Sequence, residues 1–89
     1  MEHHKITVKG RVQGVSFRVY TKNKAQELDL NGIVKNMRDG SVYIEAEGPL
    51  SVLQTFEDWC HFGSPRSHVA SVEVESGKLK GYGNFEIKY

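Results

Sequence analysis

The sequence predicts an α+β domain in which two helices cover one face of an antiparallel sheet. Segments whose apolar residues recur at every second position are separated by two segments whose apolar residues recur every three or four positions. The first spacing is typical of half-buried strands and the second of amphipathic helices. A chain of 89 residues has room for one hydrophobic core, so we expect a single domain over residues 1–89.

A change of period separates the first strand from the first helix. Apolar and polar side chains alternate along a strand predicted at Lys5–Val12. A helix is predicted from Phe17 to Leu28, before the helix-stopping pair Asn31-Gly32. The apolar stripe of this helix consists of Phe17, Thr21, Ala25 and Leu28.

Two short apolar segments, Ile33–Met37 and Ser41–Glu47, flank Arg38-Asp39-Gly40 and predict a hairpin. A two-residue loop would place Lys35 on the apolar face of the partner strand. A three-residue loop, with the glycine in a bulge, would place Val34 there instead. The hydrophobic pattern favours the second register.

The second half of the chain repeats the alternation of helix and strand. Gly48-Pro49 opens a helix, because proline suits the first helical position, and Gly63-Ser64-Pro65 ends it. Strands are predicted at Val69–Val74 and, after a glycine-rich stretch, at Phe85–Tyr89. The predicted buried stripe of the helix is Leu50, Val52, Leu53, Phe56, Trp59 and Cys60. The predicted buried face of the fourth strand is Ala70, Val72 and Val74.

This order of elements is the ferredoxin-like βαββαβ arrangement with a short C-terminal extra strand. Right-handed crossovers and the hairpin give a sheet order of 4-1-3-2, in which the first and second strands run parallel. Their C-terminal ends then lie about 10 Å apart at one edge of the sheet. The loop after Val12 and the side chain of Asn36 should therefore face the same space.

Composition excludes several classes of function. With a net charge of +1, the chain lacks the excess of basic residues that is typical of nucleic-acid-binding proteins. No apolar run reaches the roughly 20 residues that span a membrane, and Met1–Lys5 lacks the apolar stretch of a signal peptide. Cys60 is the only cysteine, so no disulfide forms within the chain and core packing is its expected role. We expect a cytoplasmic protein without a membrane or nucleic-acid partner.

The segment from Gly10 to Arg18 is the candidate anion site, because it joins a strand end to a helix start, where unpaired N–H groups and the helix dipole favour an anion. Gly14 allows close approach of a ligand to the backbone. Arg18 lies in the first helical turn, where a guanidinium is unfavourable unless something negative lies in front of it. A plain connection with a solvated arginine is the alternative on composition alone.

Several phosphate chemistries are excluded because the sequence lacks the residue types that they require. Val15 follows Gly14 at the position where a Walker loop has its lysine, and the apolar environment of Cys60 does not suit a thiolate nucleophile. Ser16 has no histidine or carboxylate in the loop to act as its base. The histidines are predicted to be solvated surface rather than metal ligands; His3 and His4 are at an unanchored chain start, and His61 and His68 flank a helix end and a strand start.

Attack by water on a phosphoryl group remains, and it suits only a good leaving group. Acyl phosphates qualify, because a departing carboxylate with a pKa of roughly 4 needs no protonation. Asn36 could orient the water through its amide. The alternative for this asparagine is a turn-flanking residue that satisfies the hairpin backbone.

These segments resemble the two signatures of the acylphosphatase family, and the resemblance covers essentially the whole chain. The first signature is matched throughout Val8–Arg18. The sequence departs from the family at Ile33, where an aromatic residue is preferred, and at Asp29, where glycine is common. The second signature is matched at Gly32, Val34, Lys35, Asn36, Gly40, Val42 and Gly48.

The resemblance implies hydrolysis of acyl phosphates without a metal, a cofactor or a covalent intermediate. It implies catalytic roles for Arg18, which binds phosphate, and for Asn36, which positions water. Inorganic phosphate or sulfate should compete with the substrate, and a monomer is expected. The implied phosphate-binding loop consists of Gln13, Gly14, Val15, Ser16, Phe17 and Arg18.

Two other classes of protein share this topology. A noncatalytic phosphate-binding or interaction module would bind phosphate without turnover. An RNA-recognition domain would need exposed aromatic residues on basic central strands. The third strand offers Tyr43, Glu45 and Glu47 instead, which is too acidic and has too few aromatic residues.

Overall fold

A computed structural model describes residues 1–89. Five strands and two helices follow one another in the predicted order. Their bounds are β1 (Glu2–Arg11), α1 (Phe17–Glu27), β2 (Asn31–Asn36), β3 (Val42–Gly48), α2 (Leu50–Cys60), β4 (His68–Gly77) and β5 (Phe85–Lys88).

The sheet has the order β4-β1-β3-β2-β5, which confirms the predicted 4-1-3-2 order and the ferredoxin-like arrangement. Neighbouring strands among the first four are antiparallel, so β1 and β2 run parallel on either side of β3. The extra strand β5 pairs with β2 in parallel and extends the sheet at that edge. The C-terminal ends of β1, β2 and β5 therefore lie at the same end of the molecule.

The hydrophobic core lies between the sheet and the two helices. Phe17 and Ala25 of α1 and Leu53 and Phe56 of α2 are buried in one cluster with the inward side chains of the sheet. Cys60 is fully buried in the same cluster, as predicted, and burial raises the pKa of its thiol. Neither helix is long and apolar enough to cross a membrane.

The β2–β3 hairpin has the predicted three-residue loop. The backbone N–H of Met37 donates to the carbonyl of Ser41 at 2.8 Å, which closes the loop around Arg38-Asp39-Gly40. Gly40 has φ +94, the left-handed conformation that favours glycine. Val34 lies opposite Ile44 and both are fully buried, so the favoured register is confirmed.

The predicted buried face of the fourth strand is wrong at both ends: Val72 packs against the core, but Val74 is 43% exposed and Ala70 points to solvent. Lys9 pairs with Ser71 but Gly10 pairs with Val69, so Ala70 is the extra residue of a β-bulge. The bulge turns Ala70 to solvent and places Val69 against the core. Any side chain at Gly10 would collide with the backbone of β4 at this bulge.

The predicted stripe of the second helix is too wide. Leu53, Phe56 and Cys60 are buried, whereas Leu50 is 48% exposed. Val52 and Trp59 are partly buried and pack against the edge of the core. The helix also begins one residue later than predicted, since Pro49 is its N-cap.

The N-terminal histidines are not an unanchored start, because β1 begins at Glu2 and buries both rings. The Nδ1 atom of His3 lies 2.7 Å from a carboxylate oxygen of Glu47. The Nδ1 atom of His4 lies 2.5 Å from a carboxylate oxygen of Glu57 in α2. These contacts with carboxylates explain why polar residues are tolerated in the interior.

The sheet face opposite the helices buries a carboxylate under the connection between β4 and β5. Glu47 accepts backbone N–H groups from Lys80 at 2.6 Å and from Gly81 and Tyr82 at 3.1 Å each. Burial raises the pKa of Glu47, but these hydrogen bonds and the His3 ring outweigh burial and lower it below 4.5. We call Lys80–Tyr82 the filled turn.

Glu45 lies beside Glu47 and is bound from both sides. Its carboxylate accepts hydrogen bonds from the hydroxyls of Tyr43 and Tyr82 at 2.7 Å each and lies 2.8 Å from the Lys80 ammonium. Burial raises the pKa of Glu45, but these partners outweigh it and lower the pKa to about 2. Two carboxylates are therefore buried where an RNA-recognition domain needs exposed aromatic residues.

Candidate active site

The loop between β1 and α1 has an unusual backbone. Gly14 has φ +73, and Ser16, the N-cap of α1, has φ 61 and ψ 24. A left-handed conformation costs a residue other than glycine about 1–2 kcal/mol. The Ser16 side chain does not recover this energy by capping the helix, since it makes no capping hydrogen bond. Strain at a functional loop persists only when its surroundings hold it.

The backbone N–H groups of residues 13–19 have no acceptor within the protein. None of them donates to a carbonyl or to a side chain. No acidic residue lies in the first turn of α1 to take up its positive end. This row of free donors at a helix N-terminus is suited to an anion.

Two side chains from distant parts of the chain fix the loop. Ser64 is buried, and its hydroxyl donates to the Val15 carbonyl at 2.7 Å. The Gln13 amide donates to the carbonyls of Met37 and Ser41 at 2.7 and 2.9 Å, which joins the loop to the hairpin. The sequence marked Ser64 only as part of a helix stop, because its partner lies 49 positions away.

The loop and the end of β2 share one cavity of about 280 Å³. This confirms that the loop after Val12 and Asn36 face the same space. Gln13 and Val15 belong to the loop but do not line the cavity. The residues that line it are Val12, Gly14, Ser16, Phe17, Arg18, Val19, Asn36, Ile87 and Tyr89.

Arg18 is the positive charge of the cavity. No carboxylate forms an ion pair with it, and its guanidinium carbon lies 4.7 Å from the centre of the Tyr89 ring. A cation placed over an aromatic face is held without being neutralised. Its charge therefore remains available to an anion. Ile87 of β5 and Tyr89, the residue just after this strand, form a wall that the sequence did not predict as part of the site.

Asn36 contributes an acceptor without a partner. Its Oδ1 atom is buried and receives no hydrogen bond. A buried polar atom left unsatisfied is uncommon and often marks a site that binds a water or a ligand. Asn36 pairs with Val42 at the last position of β2, so the sheet fixes its backbone.

The remaining candidates lie away from this cavity. His61 and His68 are exposed, and no three histidine, cysteine or acidic side chains are placed to hold one metal ion. Ile33, which departs from the family pattern, pairs with Glu45 and Glu86 and does not line the cavity. Asp29 has φ 57, the conformation that favours glycine, which the family commonly has there.

Fold and site together define a small α+β domain with a cavity suited to an anion at one end of its sheet. Comparison with known proteins agrees with this class. The acylphosphatase family model matches residues 4–87. An acylphosphatase from Mannheimia succiniciproducens is 55% identical over 83 residues, which cover 92% of each chain. The acylphosphatase from Bacillus subtilis is 46% identical over 90 aligned positions, which cover 100% of this chain and 99% of that one.

Solved structures give the same result. The crystal structure of acylphosphatase from Bacillus subtilis superposes with a TM-score of 0.97 at 43% identity and covers both chains completely. The chain belongs to the acylphosphatase family. It is an enzyme that hydrolyses acyl phosphates.

Proposed function

We propose that the cavity holds the phosphoryl group of an acyl phosphate while a water molecule attacks the phosphorus directly. The observation that carries this proposal is the convergence of free loop amides, an unpaired arginine and an unsatisfied asparagine acceptor on one small cavity. At about 280 Å³ the cavity is near the lower limit for ligand sites, which suits a small substrate.

The loop and Arg18 bind the phosphoryl oxygens. Backbone N–H groups from Gly14 to Arg18 donate hydrogen bonds, and the guanidinium adds a charge-assisted pair. These donors are fixed before the substrate arrives, so little reorganisation accompanies the reaction. Gln13 and Val15 contribute their backbone to the loop, while the Gln13 side chain joins it to the hairpin.

Asn36 orients the water. Its Oδ1 atom accepts a hydrogen bond from the water, whose oxygen forms the new bond to phosphorus. The bond from phosphorus to the acyl oxygen breaks, and the electron pair leaves with the carboxylate. The water's proton passes to a phosphate oxygen. Because a carboxylate with a pKa of about 4 leaves without protonation, the step needs no protein acid, metal, cofactor or phosphoenzyme.

The same site predicts how other molecules interact with the protein. Inorganic phosphate and sulfate should compete with the substrate, since both present the oxygens that the loop binds. We propose that residues 1–89 act as one monomeric domain in the cytoplasm. No nucleic acid or membrane takes part.

Variants at the two side chains test these roles with benzoyl phosphate as substrate. Arg18→Ala and Asn36→Ala should each lower kcat/KM by about 100-fold or more, the usual cost of removing one group that stabilises a transition state. Only the arginine change should greatly weaken inhibition by phosphate. Matched controls are Arg66→Ala and Asn23→Ala, exposed residues of the same types outside the cavity.

Turnover like that of the unaltered protein in either cavity variant would contradict the role assigned to that residue. Thermal stabilisation by phosphate without turnover of benzoyl phosphate would instead favour the noncatalytic module. A reaction that stops on addition of a chelator would contradict the metal-independent step.

A further inference from the structure

Ser64 makes a buried contact with the phosphate-binding loop that none of the roles above uses. The residue is 2% exposed, and its hydroxyl donates to the Val15 carbonyl at 2.7 Å. The Ser64 carbonyl in turn accepts hydrogen bonds from the backbone N–H of Ser67 at 3.0 Å and from its hydroxyl at 2.7 Å. The backbone contact between Ser67 and Ser64 closes a turn that does not depend on the Ser67 hydroxyl.

The direction of the Val15 carbonyl determines the direction of one loop donor. The Val15 carbonyl and the Ser16 N–H belong to the same planar trans peptide and point in opposite directions. Because the carbonyl points at buried Ser64, the Ser16 N–H points away from the interior. Ser16 itself lines the cavity, and its N–H has no acceptor within the protein.

The Val15–Ser16 peptide has an alternative orientation, in which its plane is rotated by about half a turn. A flip of the peptide plane turns φ of Ser16 from 61 to a negative value, which relieves its left-handed strain. The same flip turns the N–H away from the cavity and brings the Val15 carbonyl oxygen towards it. That oxygen would repel a phosphoryl group.

We propose that Ser64 is a positioning residue that holds the Val15–Ser16 peptide in its strained orientation, so that the Ser16 N–H is available to the phosphoryl oxygens. This inference rests on the proposed role of the loop in binding phosphate. Ser64 lies outside the cavity, yet it sets the orientation of one donor inside it.

Ser64→Ala tests the proposal with Ser67→Ala as its matched control. Both variants lose a hydroxyl that donates to a backbone carbonyl in the same segment, but only the first loses the contact with the loop. Ser64→Ala should lower kcat/KM and raise the phosphate inhibition constant, each by about tenfold, and Ser67→Ala should change neither by more than about twofold. If both variants lose stability and keep their kinetics, the role of Ser64 is structural and the proposal is overturned.

A second substitution separates peptide orientation from general loosening of the loop. Glycine adopts the left-handed conformation without strain, so Ser16→Gly removes the preference for the flipped peptide. The double variant with Ser64→Ala should therefore regain most of the loss, measured against Ser16→Gly alone. A double variant impaired as much as Ser64→Ala would overturn the proposal.

The unaltered protein provides a test that does not depend on folding of the variants. Inorganic phosphate, titrated into ¹⁵N-labelled protein, should shift the backbone amide resonance of Ser16. Shifts at Gly14 and Arg18 without one at Ser16 would overturn the inference and leave the proposed function intact. The absence of shifts throughout the loop, with turnover retained in Arg18→Ala, would overturn the proposed function as well.

Discussion

Backbone N–H groups face an anion site at two opposite ends of the sheet, and the protein supplies the anion at only one of them. The filled turn donates three N–H hydrogen bonds to Glu47, which is buried. At the other end, the N–H groups of residues 13–19 have no acceptor within the chain. The donors are of the same chemical kind at both ends.

The difference separates stability from binding. The Glu47 carboxylate binds the filled turn to the sheet, so changes there should appear in the free energy of unfolding. The loop of residues 13–19, which we call the open loop, has donors that are free for a ligand. Changes there should therefore appear in affinity and turnover. Variants at the two ends of the sheet test this separation.

The largest expected effect on stability comes from Glu47→Gln. The neutral amide replaces a carboxylate that binds the His3 ring and three N–H groups, and hydrogen bonds to a charged group contribute about 1.5–3 kcal/mol each, so we expect a loss of about 3 kcal/mol or more. Urea unfolding measures this loss. The kcat/KM of the folded variant should stay within about twofold of its original value, since the cavity lies at the other end of the sheet.

Glu73→Gln is the matched control for this change. Glu73 is exposed and lies 3.6 Å from the Lys9 ammonium, and such surface pairs contribute about 0–1 kcal/mol. Equal losses in the two variants would show that the filled turn does not carry the stability assigned to it.

Acid should weaken the same end of the molecule. The pKa of Glu45 is about 2 in the folded protein and 4.5 as its ordinary value, so the folded state favours the ionised form. Its contribution, about 3 kcal/mol for a difference of this size, is present above pH 4.5 and is lost as the pH falls towards 2.

Urea unfolding of the unaltered protein and of Glu45→Gln between pH 7 and pH 3 measures this contribution. The variant lacks the titrating group and should lose less stability on acidification. Parallel curves for the two proteins would contradict the assignment to Glu45.

Phosphate should stabilise the protein through the open loop alone. A ligand that binds only the folded state adds about 2.7 kcal/mol at 100 times its dissociation constant. Urea unfolding in phosphate and in chloride at equal ionic strength should show this increment in the unaltered protein and in Glu47→Gln. Arg18→Ala should lose most of the increment; an undiminished increment would place the bound phosphate elsewhere.

Gln13→Ala should have the smallest effect and should combine both kinds of change. Loss of the contact between loop and hairpin removes two hydrogen bonds, which contribute about 1 kcal/mol each at most in a partly exposed site. The kcat/KM should fall a few-fold because Asn36 is less firmly placed opposite the loop. Gln54→Ala, at an exposed glutamine of α2, is the control that should leave stability and turnover unchanged.

Local patterns were sufficient to predict most of the fold. The hairpin register followed from the burial of Val34 opposite Ile44, because a shift by one residue would have buried Lys35. The bulge at Ala70 was not predictable, since it depends on the approach of β4 to Gly10, about 60 positions away in the chain. The buried histidines were missed for the same reason, because their carboxylate partners lie 44 and 53 positions away.

The site was predictable where topology alone brings residues together. The parallel directions of β1 and β2 were enough to place the loop and Asn36 at one end of the sheet. Ser64 and Tyr89 could not be assigned in this way. One acts through a single hydrogen bond to a carbonyl and the other through the face of its ring, and neither leaves a periodic signal in the sequence.

The central position of β1 has a consequence for folding kinetics. Val8 pairs with Val42 on one side and with Val72 on the other, so the first strand is not enclosed until the last third of the chain has joined the sheet. Pairings between such distant segments make folding slow, on the order of milliseconds to seconds. The loop that follows β1 is held by the hairpin and by Ser64, so we expect it to form late, and an anion bound there should delay unfolding rather than hasten folding.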